Sequence, residues 1–405
     1  MNKYARLVST LMLLIVMAGC ASVNQNNSTA RNSSPTSHIT PTSTVPRDPC
    51  TPAVGPDLPV PKSLPPPIPT NGSQPEVLWG IAMDAADDGW AVGGIYSQDG
   101  KTVVSGLLLH YTRGQWNAVS SPTTQSLHGI QMLSSSEGWA VGEGGVVLHY
   151  QGGQWSVASI ISQPNASRNP TLYSISMVST SEGWIVGDSG ITVHYSSGSW
   201  VVVEHPKFDV PDLFGISMVS ADEGWAVGLG LGGEGAIEHY HAGAWEDAGL
   251  QVNTLKASLP LLTSITMVSA SEGWAVGTTD LWHYCQGEWT EVIPASRLPG
   301  LWSVAMASAH DGWAVGSGLW HYTGDQWAPA KSTLPLYSPK FKNTLPAPFH
   351  TGSLFGVSMV SQNEGWAVGY GYNISGYNAD GSPQSQGTGY LIMHYLNGSW
   401  NVYSG

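Results

Sequence analysis

Charge is scarce in this 405-residue chain: Asp, Glu, Lys and Arg together make up 10% of it, with 14 bases against 28 acids. From residue 75 onward, 26 acids face only 9 bases, a net charge of −17. Such a surface repels phosphate backbones, so a nucleic-acid partner is excluded and basic or neutral partners are favoured. Helix-type runs of Leu, Glu, Lys and Ala at 3.6-residue spacing are missing, which excludes a helical protein. Cysteine is nearly absent, at 3 residues. Apolar stretches are short too; the run at Leu7–Met17 is below the length of a membrane span. What the chain has instead is glycine, at 49 residues, and tryptophan, at 18. That composition belongs to many short strands and turns.

The N-terminus reads as a processing signal over residues 1–19. Lys3 and Arg6 precede the apolar run, and small residues lead to Cys20. The ending Met17-Ala18-Gly19-Cys20 resembles a bacterial lipobox, which implies lipidation at Cys20 and a protein anchored to the bacterial cell membrane on its extracytoplasmic side. Residues 20–74 are rich in Ser, Thr, Asn and Pro and hold too little apolar mass to fold, so a disordered tether is expected. Besides Cys20, only Cys50 in the tether and Cys285 remain. They either form a disulfide stapling the tether to the domain or stay as free thiols; spacing does not decide.

One phrase organises the rest. Acid-Gly-Trp-apolar-Val-Gly occurs seven times, starting at Asp88, Glu137, Glu182, Glu223, Glu272, Asp311 and Glu364. An apolar-x-Met segment precedes each copy, as in "ISMVSTSEGW", and a His-Tyr pair follows, from His110-Tyr111 to His394-Tyr395. Five residues after each Tyr stands a second Trp: Trp116, Trp155, Trp200, Trp245, Trp289, Trp327 and Trp400. A catalytic motif is needed once, whereas a motif written seven times is architecture. Each unit reads as four strands, A to D, at a mean period of 46 residues. The expected fold is all-β: a seven-bladed β-propeller of four-stranded antiparallel blades over 75–405. Trp90, Trp139, Trp184, Trp225, Trp274, Trp313 and Trp366 are expected to stack between blades. Because the register is in phase with the termini, no strand exchange is expected, and closure falls to side-chain packing between blades 7 and 1.

The segment "EGWAVGEGGVVLHYQGGQW" (137–155) resembles the repeat of photosystem II stability and assembly factor-like propellers and, more distantly, the bacterial neuraminidase repeat. The resemblance extends over all seven units, but the turn "YQGGQW" lacks the neuraminidase Asp-box. It implies a non-catalytic binding or assembly protein.

Loop lengths point to a face. The A–B and C–D turns are constant, while the B–C spacing from the last Gly to the His is 17, 7, 7, 11, 6, 5 and 25 residues. The D–A connections vary as well. In an up-and-down blade these two variable connections emerge on the same side, which is the candidate binding face. Its richest sector straddles ring closure. The blade 7 loop offers Tyr370, Tyr372, Asn373, Tyr377, Asn378, Asp380 and Tyr390, and blade 1 adds Tyr96 and Asp99. The entry to blade 7 carries Tyr337, Lys340 and Lys342. Tyr and Asn on loops suit a protein surface or a glycan. Asn378, Asp380 and Ser382 also offer oxygens to Ca²⁺, with a single acid among them, which leaves calcium binding open.

No catalytic constellation emerges. Sialidases need an arginine cluster, and the propeller has only Arg113, Arg168 and Arg297, the first on the constant-turn face. The strand-C histidines of different blades stand too far apart to share an ion, so no metal or cofactor is expected; each should bond to neighbouring backbone or a neighbouring blade. The acids of the phrase should accept backbone N–H groups in their own turns. The reading is a monomeric, lipid-anchored, non-catalytic recognition or assembly module for a protein, with a glycan-binding or neuraminidase-like role as the alternative.

Overall fold

A computed structural model describes residues 50–56, 75–163, 166–203, 212–230, 235–248, 261–293, 300–332, 349–377 and 383–403. Seven antiparallel sheets each take four strands consecutive in the chain. Blade 2 shows the pattern: strand A Leu127–Ser134, B Glu137–Gly142, C Val146–Gln151 and D Gln154–Ile160. The A strands of successive blades touch one another all the way round, and blade 7 touches blade 1, so the A strands line the axis of a closed ring. The D strands form the outer rim. This is the expected propeller, and among the described residues no strand is exchanged between the first and last blades.

The seven repeated Trp residues lie between blades as the pattern requires. Trp90 stacks flat on His110 of its own blade, at 4.1 Å and 6°, and packs against Tyr150 and Trp155 of blade 2 at 5.0 and 5.4 Å. The same four-ring cluster recurs at every interface. It includes closure, where Trp366 meets His394 of its own blade and Tyr111 and Trp116 of blade 1. Trp184, Trp274 and Trp366 are at most 1% exposed. Burying a Trp removes up to about 250 Å² from water, on the order of 4–6 kcal/mol as an upper bound. Closure also reuses the inner-ring hydrogen bond. The Met83 N–H donates to Ser358 Oγ of blade 7 at 3.0 Å, as the Met218 N–H does to Ser176 Oγ between blades 3 and 4 at 2.9 Å.

Met packing explains the Gly before each Trp. Met177 stands opposite Gly183 in the A–B register, and a Cβ on Gly183 would overlap the Met177 sulfur; the same contact occurs in all seven blades. The constant C–D turns are two-residue hairpins. In blade 1, Thr112 pairs with Gln115 across Arg113 and Gly114, whose φ values are +54° and +80°, as a type I′ turn demands.

The acids and histidines of the repeat find each other, which corrects their expected partners. In blade 4 the His239 ring lies 3.8 Å from Trp225 and its Nε2 is 2.6 Å from Glu223 Oε1; the pairs Glu272–His283 (2.6 Å) and Glu364–His394 (3.1 Å) repeat the arrangement. In blades 2 to 7 a turn N–H is bound instead by a strand-A serine, as where the Ser181 N–H donates to Ser179 Oγ at 3.2 Å. A carboxylate one residue before Gly-Trp begins strand B and faces strand C, so the imidazole lies closer to it than its own turn does.

Cys50 and Cys285 are bonded, with Cα atoms 5.4 Å apart. Just beyond Cys50, Ala53–Val54 adds a fifth strand to blade 6, parallel to its D strand Gln326–Pro329. The Ala53 N–H donates to Asp325 O at 3.0 Å and the Gly55 N–H to Trp327 O at 2.7 Å. Part of the Ser/Pro-rich segment is thus docked on the rim. The disulfide belongs to the blade 5–6 boundary and not to ring closure.

Candidate functional site

The variable face is where the blades depart from one pattern. In blade 7 the long B–C connection is mostly strand: strands B (Glu364–Tyr377) and C (Pro383–Leu396) run 14 residues each and pair out to Tyr377↔Pro383. Seven residues beyond Tyr370, at ~3.3 Å each, carry this hairpin on the order of 20 Å above the ring. Strand A of blade 7, Phe349–Ser361, lengthens with it. The expected loop is therefore a protruding three-stranded arm. Alternating apolar and polar residues from Tyr370 to Tyr377 could have signalled this, but its many glycines favour a loop reading.

The structure sorts the expected binding residues. Tyr96 is not presented to a ligand: it is 8% exposed, accepts from Trp79 Nε1 at 3.2 Å and lies 3.2 Å from Ser126 Oγ. Burial pushes its hydroxyl up to about 12. Asp99 is exposed but folded into its own turn, where it accepts from Ser97 Oγ at 2.6 Å and the Lys101 N–H at 3.2 Å; these bonds hold its carboxyl below the ordinary range. Tyr370 and Tyr372 pack edge to face at 5.0 Å, with Tyr372 only 4% exposed. Tyr390 stands opposite Tyr370 in the register and is partly exposed. Asn373 and Tyr377 lie on the arm. Tyr337, Lys340, Lys342, Asn378, Asp380, Cys20 and Arg297 lie outside the described residues.

Pattern reading missed the channel. Four residues before each strand-A Met stand Trp79, His128, Tyr173, Phe214, Thr263, Trp302 and Phe355. All seven line one cavity of about 200 Å³ on the propeller axis. Six of the seven are aromatic, and five centroid contacts join them into an arc: Phe214–Tyr173 at 5.0 Å, Tyr173–His128 at 5.7 Å, His128–Trp79 at 5.5 Å, Trp79–Phe355 at 4.7 Å and Phe355–Trp302 at 6.1 Å. Thr263 closes the circle, 7% exposed and bonded to the Val276 and Leu301 carbonyls at 3.2 and 3.1 Å. These side chains come early in strand A, which starts from the D–A connection, so the collar sits toward the variable face. A signal existed: of the four Trp outside the repeat pattern, Trp79 and Trp302 are collar members.

Acids cluster beside the collar. Glu143 Oε1 lies 3.7 Å from His128 Nε2. Asp188 and Asp212, 3% and 4% exposed, face each other across blades 3 and 4. Arg168 Nη2 binds Asp188 at 2.6 Å, and the Ser189 N–H donates to Asp212 at 3.1 Å. Burial raises Asp212 to about 6, with Asp188 adding to the shift, and burial beside the two carboxylates holds the Tyr173 hydroxyl well above its usual range. Arg168 is committed to Asp188 and Arg113 to a C–D turn, so among the described residues no arginine cluster forms. The site combines flat apolar surface with negative potential, suited to an apolar or basic group entering from the variable face.

The comparisons with known proteins agree with this architecture. No curated protein matches the chain in sequence. Among solved structures, YCF48 bound to a D1 peptide superposes with a TM-score of 0.53 at 15% identity, covering 82% of this chain and 99% of that one. YCF48 from Cyanidioschyzon merolae gives 0.52 at 13%, covering 81% and 97%. The extracellular domain of the putative one-component system BT4673 from B. thetaiotaomicron gives 0.51 at 14%, covering 77% of this chain and 40% of that one. At such identities these likenesses show the fold alone. Residues 110–205, from strand C of blade 1 through blade 3, match the family described as photosynthesis system II assembly factor YCF48, so this seven-bladed propeller is similar to that family in repeat and in fold.

Proposed function

We propose that this chain is a non-catalytic protein-recognition module that grips a peptide segment of its partner at the channel mouth on the variable face. The aromatic collar beside Glu143, Asp188 and Asp212 carries this reading. An extended segment laid against the blade 7 arm would send an apolar or basic side chain into the collar. That YCF48 has been solved with a D1 peptide supports the idea that a propeller of this kind holds peptides. The lipid anchor at Cys20 and the extracytoplasmic location belong to the same proposal, supported by the disulfide, which forms and persists outside the reducing cytosol. The stacked Trp79 and Phe355 rings support a second reading, glycan binding.

A peptide array and a glycan array, both probed with the full chain, separate the two. Peptide binding that favours basic and aromatic sequences, and that Phe214→Ala together with Trp302→Ala abolishes, supports the first reading. Glycan signal with the same loss supports the second. Binding unchanged in that double variant, with its near-UV circular dichroism intact, refutes the collar as the site. Deleting 371–389 tests the arm separately: capture should fail while the ring persists.

A further inference from the structure

Blade 4 breaks the repeat in a way the proposed recognition role does not use. Two residues after the strand-C His, the other blades carry Thr112, Gln151, Ser196, Cys285, Thr323 and Leu396; blade 4 carries His241. His239 and His241 project from the same side of strand C, and Glu223 is the direct cross-strand partner of His241. Glu223 Oε1 lies 2.6 Å from His239 Nε2, and Glu223 Oε2 lies 2.8 Å from His241 Nδ1. One donor atom from each of the three falls within 4.8 Å of the others.

We propose that Glu223, His239 and His241 bind a late first-row divalent cation, Zn²⁺ foremost, on the constant-turn face of blade 4. Two imidazoles and a carboxylate are a donor set that Zn²⁺ accepts, with metal–nitrogen and metal–oxygen distances of about 2.0–2.2 Å. Ligands at that reach around a tetrahedral ion stand roughly 3.3 Å apart, so the Glu223–His239 and Glu223–His241 contacts need to open by only about 0.7 and 0.5 Å. His239 is already aimed, because its ring lies flat on Trp225 at an interplanar angle of 5°. His241 supplies the freedom: its side chain is 67% exposed and opens the site to solvent. Blade 4 also differs on the neighbouring strand. The residue opposite the strand-C His is Glu246 here, whereas the other blades have Asn117, Ser156, Val201, Thr290, Ala328 and Asn401. A carboxylate there adds negative charge beside the cation. The similar group Glu272, His283 and Cys285 is ruled out, since its sulfur is in the disulfide and His283 is fully buried.

The site forms within one blade, by the addition of one histidine.

Titrating the full chain with Zn²⁺ by calorimetry, and with Co²⁺ for its visible absorption, tests this. One saturable equivalent is expected, with the Co²⁺ bands of a low-coordinate nitrogen and oxygen site. His241→Ser, the residue of blade 3, should weaken Zn²⁺ by at least the roughly 10–100-fold that loss of a mere outer-shell partner costs. Because His241 is at the surface, circular dichroism and the unfolding midpoint of the metal-free variant should match those of the parent. Absence of saturable binding by the parent, or equal affinity in His241→Ser, overturns the proposal.

Discussion

Replacing Glu238 by Met should make the propeller more stable at neutral pH, and the gain should vanish in acid. At this strand-C position the other blades carry Leu109, Leu148, Val193, Trp282, Trp320 and Met393, all apolar. Glu238 takes their place between blades 3 and 4, 1% exposed, and its Oε2 has no hydrogen-bond partner among the described residues. Burial, and then the Asp247 carboxylate opposite, raise it from 4.5 to about 7. The native state thus holds a proton that the unfolded chain releases. Stability from this group is complete below about pH 4.5 and is lost as pH climbs through 7, by about 3 kcal/mol at 1.36 kcal/mol per unit. The Glu238→Met variant, with no carboxyl to titrate there, would show no such loss. Asp212, raised in the same direction, is common to both proteins and cancels in their difference. Guanidinium unfolding of both proteins, followed by Trp fluorescence at pH 4.5 and pH 8, measures the effect. The variant-minus-parent difference in unfolding free energy should grow by about 3 kcal/mol between those pH values. A difference that is flat with pH would refute the reasoning, since a solvated or ion-paired carboxylate gives no such slope.

Other outcomes follow from the same structure. Cys50→Ser opens a cross-link spanning 235 residues and should cost about 2–5 kcal/mol while releasing the strand at Ala53–Val54 to fast amide exchange. Trp366→Ala and Trp184→Ala should each cost about 3–5 kcal/mol; a much larger loss for Trp366 would mean that closure is built differently from the other interfaces. Gly183→Ala should destabilise by about 1–3 kcal/mol, and Met177→Ala in the same chain should recover part of that in a double-mutant cycle. Cys20→Ser should abolish lipid labelling and release the protein from membranes; labelling that persists would sink the lipobox reading.

Repetition made most of the ring legible. A motif written seven times at constant spacing marks strands A to D and their interblade Trp in every blade, because equivalent interfaces demand equivalent side chains. The constant C–D turns were visible for the same reason: two residues at positive φ admit few sequences. The acid–histidine pairing was present in the letters, yet its partners could not be assigned. Residues some ten to thirty apart become neighbours only once strands B and C are in register.

What the sequence alone determined was the blade: its strands, its turns and the number of copies, all local and periodic properties. The tertiary structure decided what the copies do together. Closing the ring brings Trp79, His128, Tyr173, Phe214, Thr263, Trp302 and Phe355 around one axis, although they differ in type and lie up to 276 positions apart. Separately from closure, the fold pairs Cys50 with Cys285 and sets Ala53–Val54 on blade 6, contacts that cross most of the chain. The physical reason is that a repeat constrains each residue through its neighbours in the sheet. The channel depends on positions fixed only when the seventh blade packs against the first, the staple on a distant segment brought to the blade 5–6 boundary, and the buried Asp188–Asp212 contact on blades 3 and 4 lying side by side.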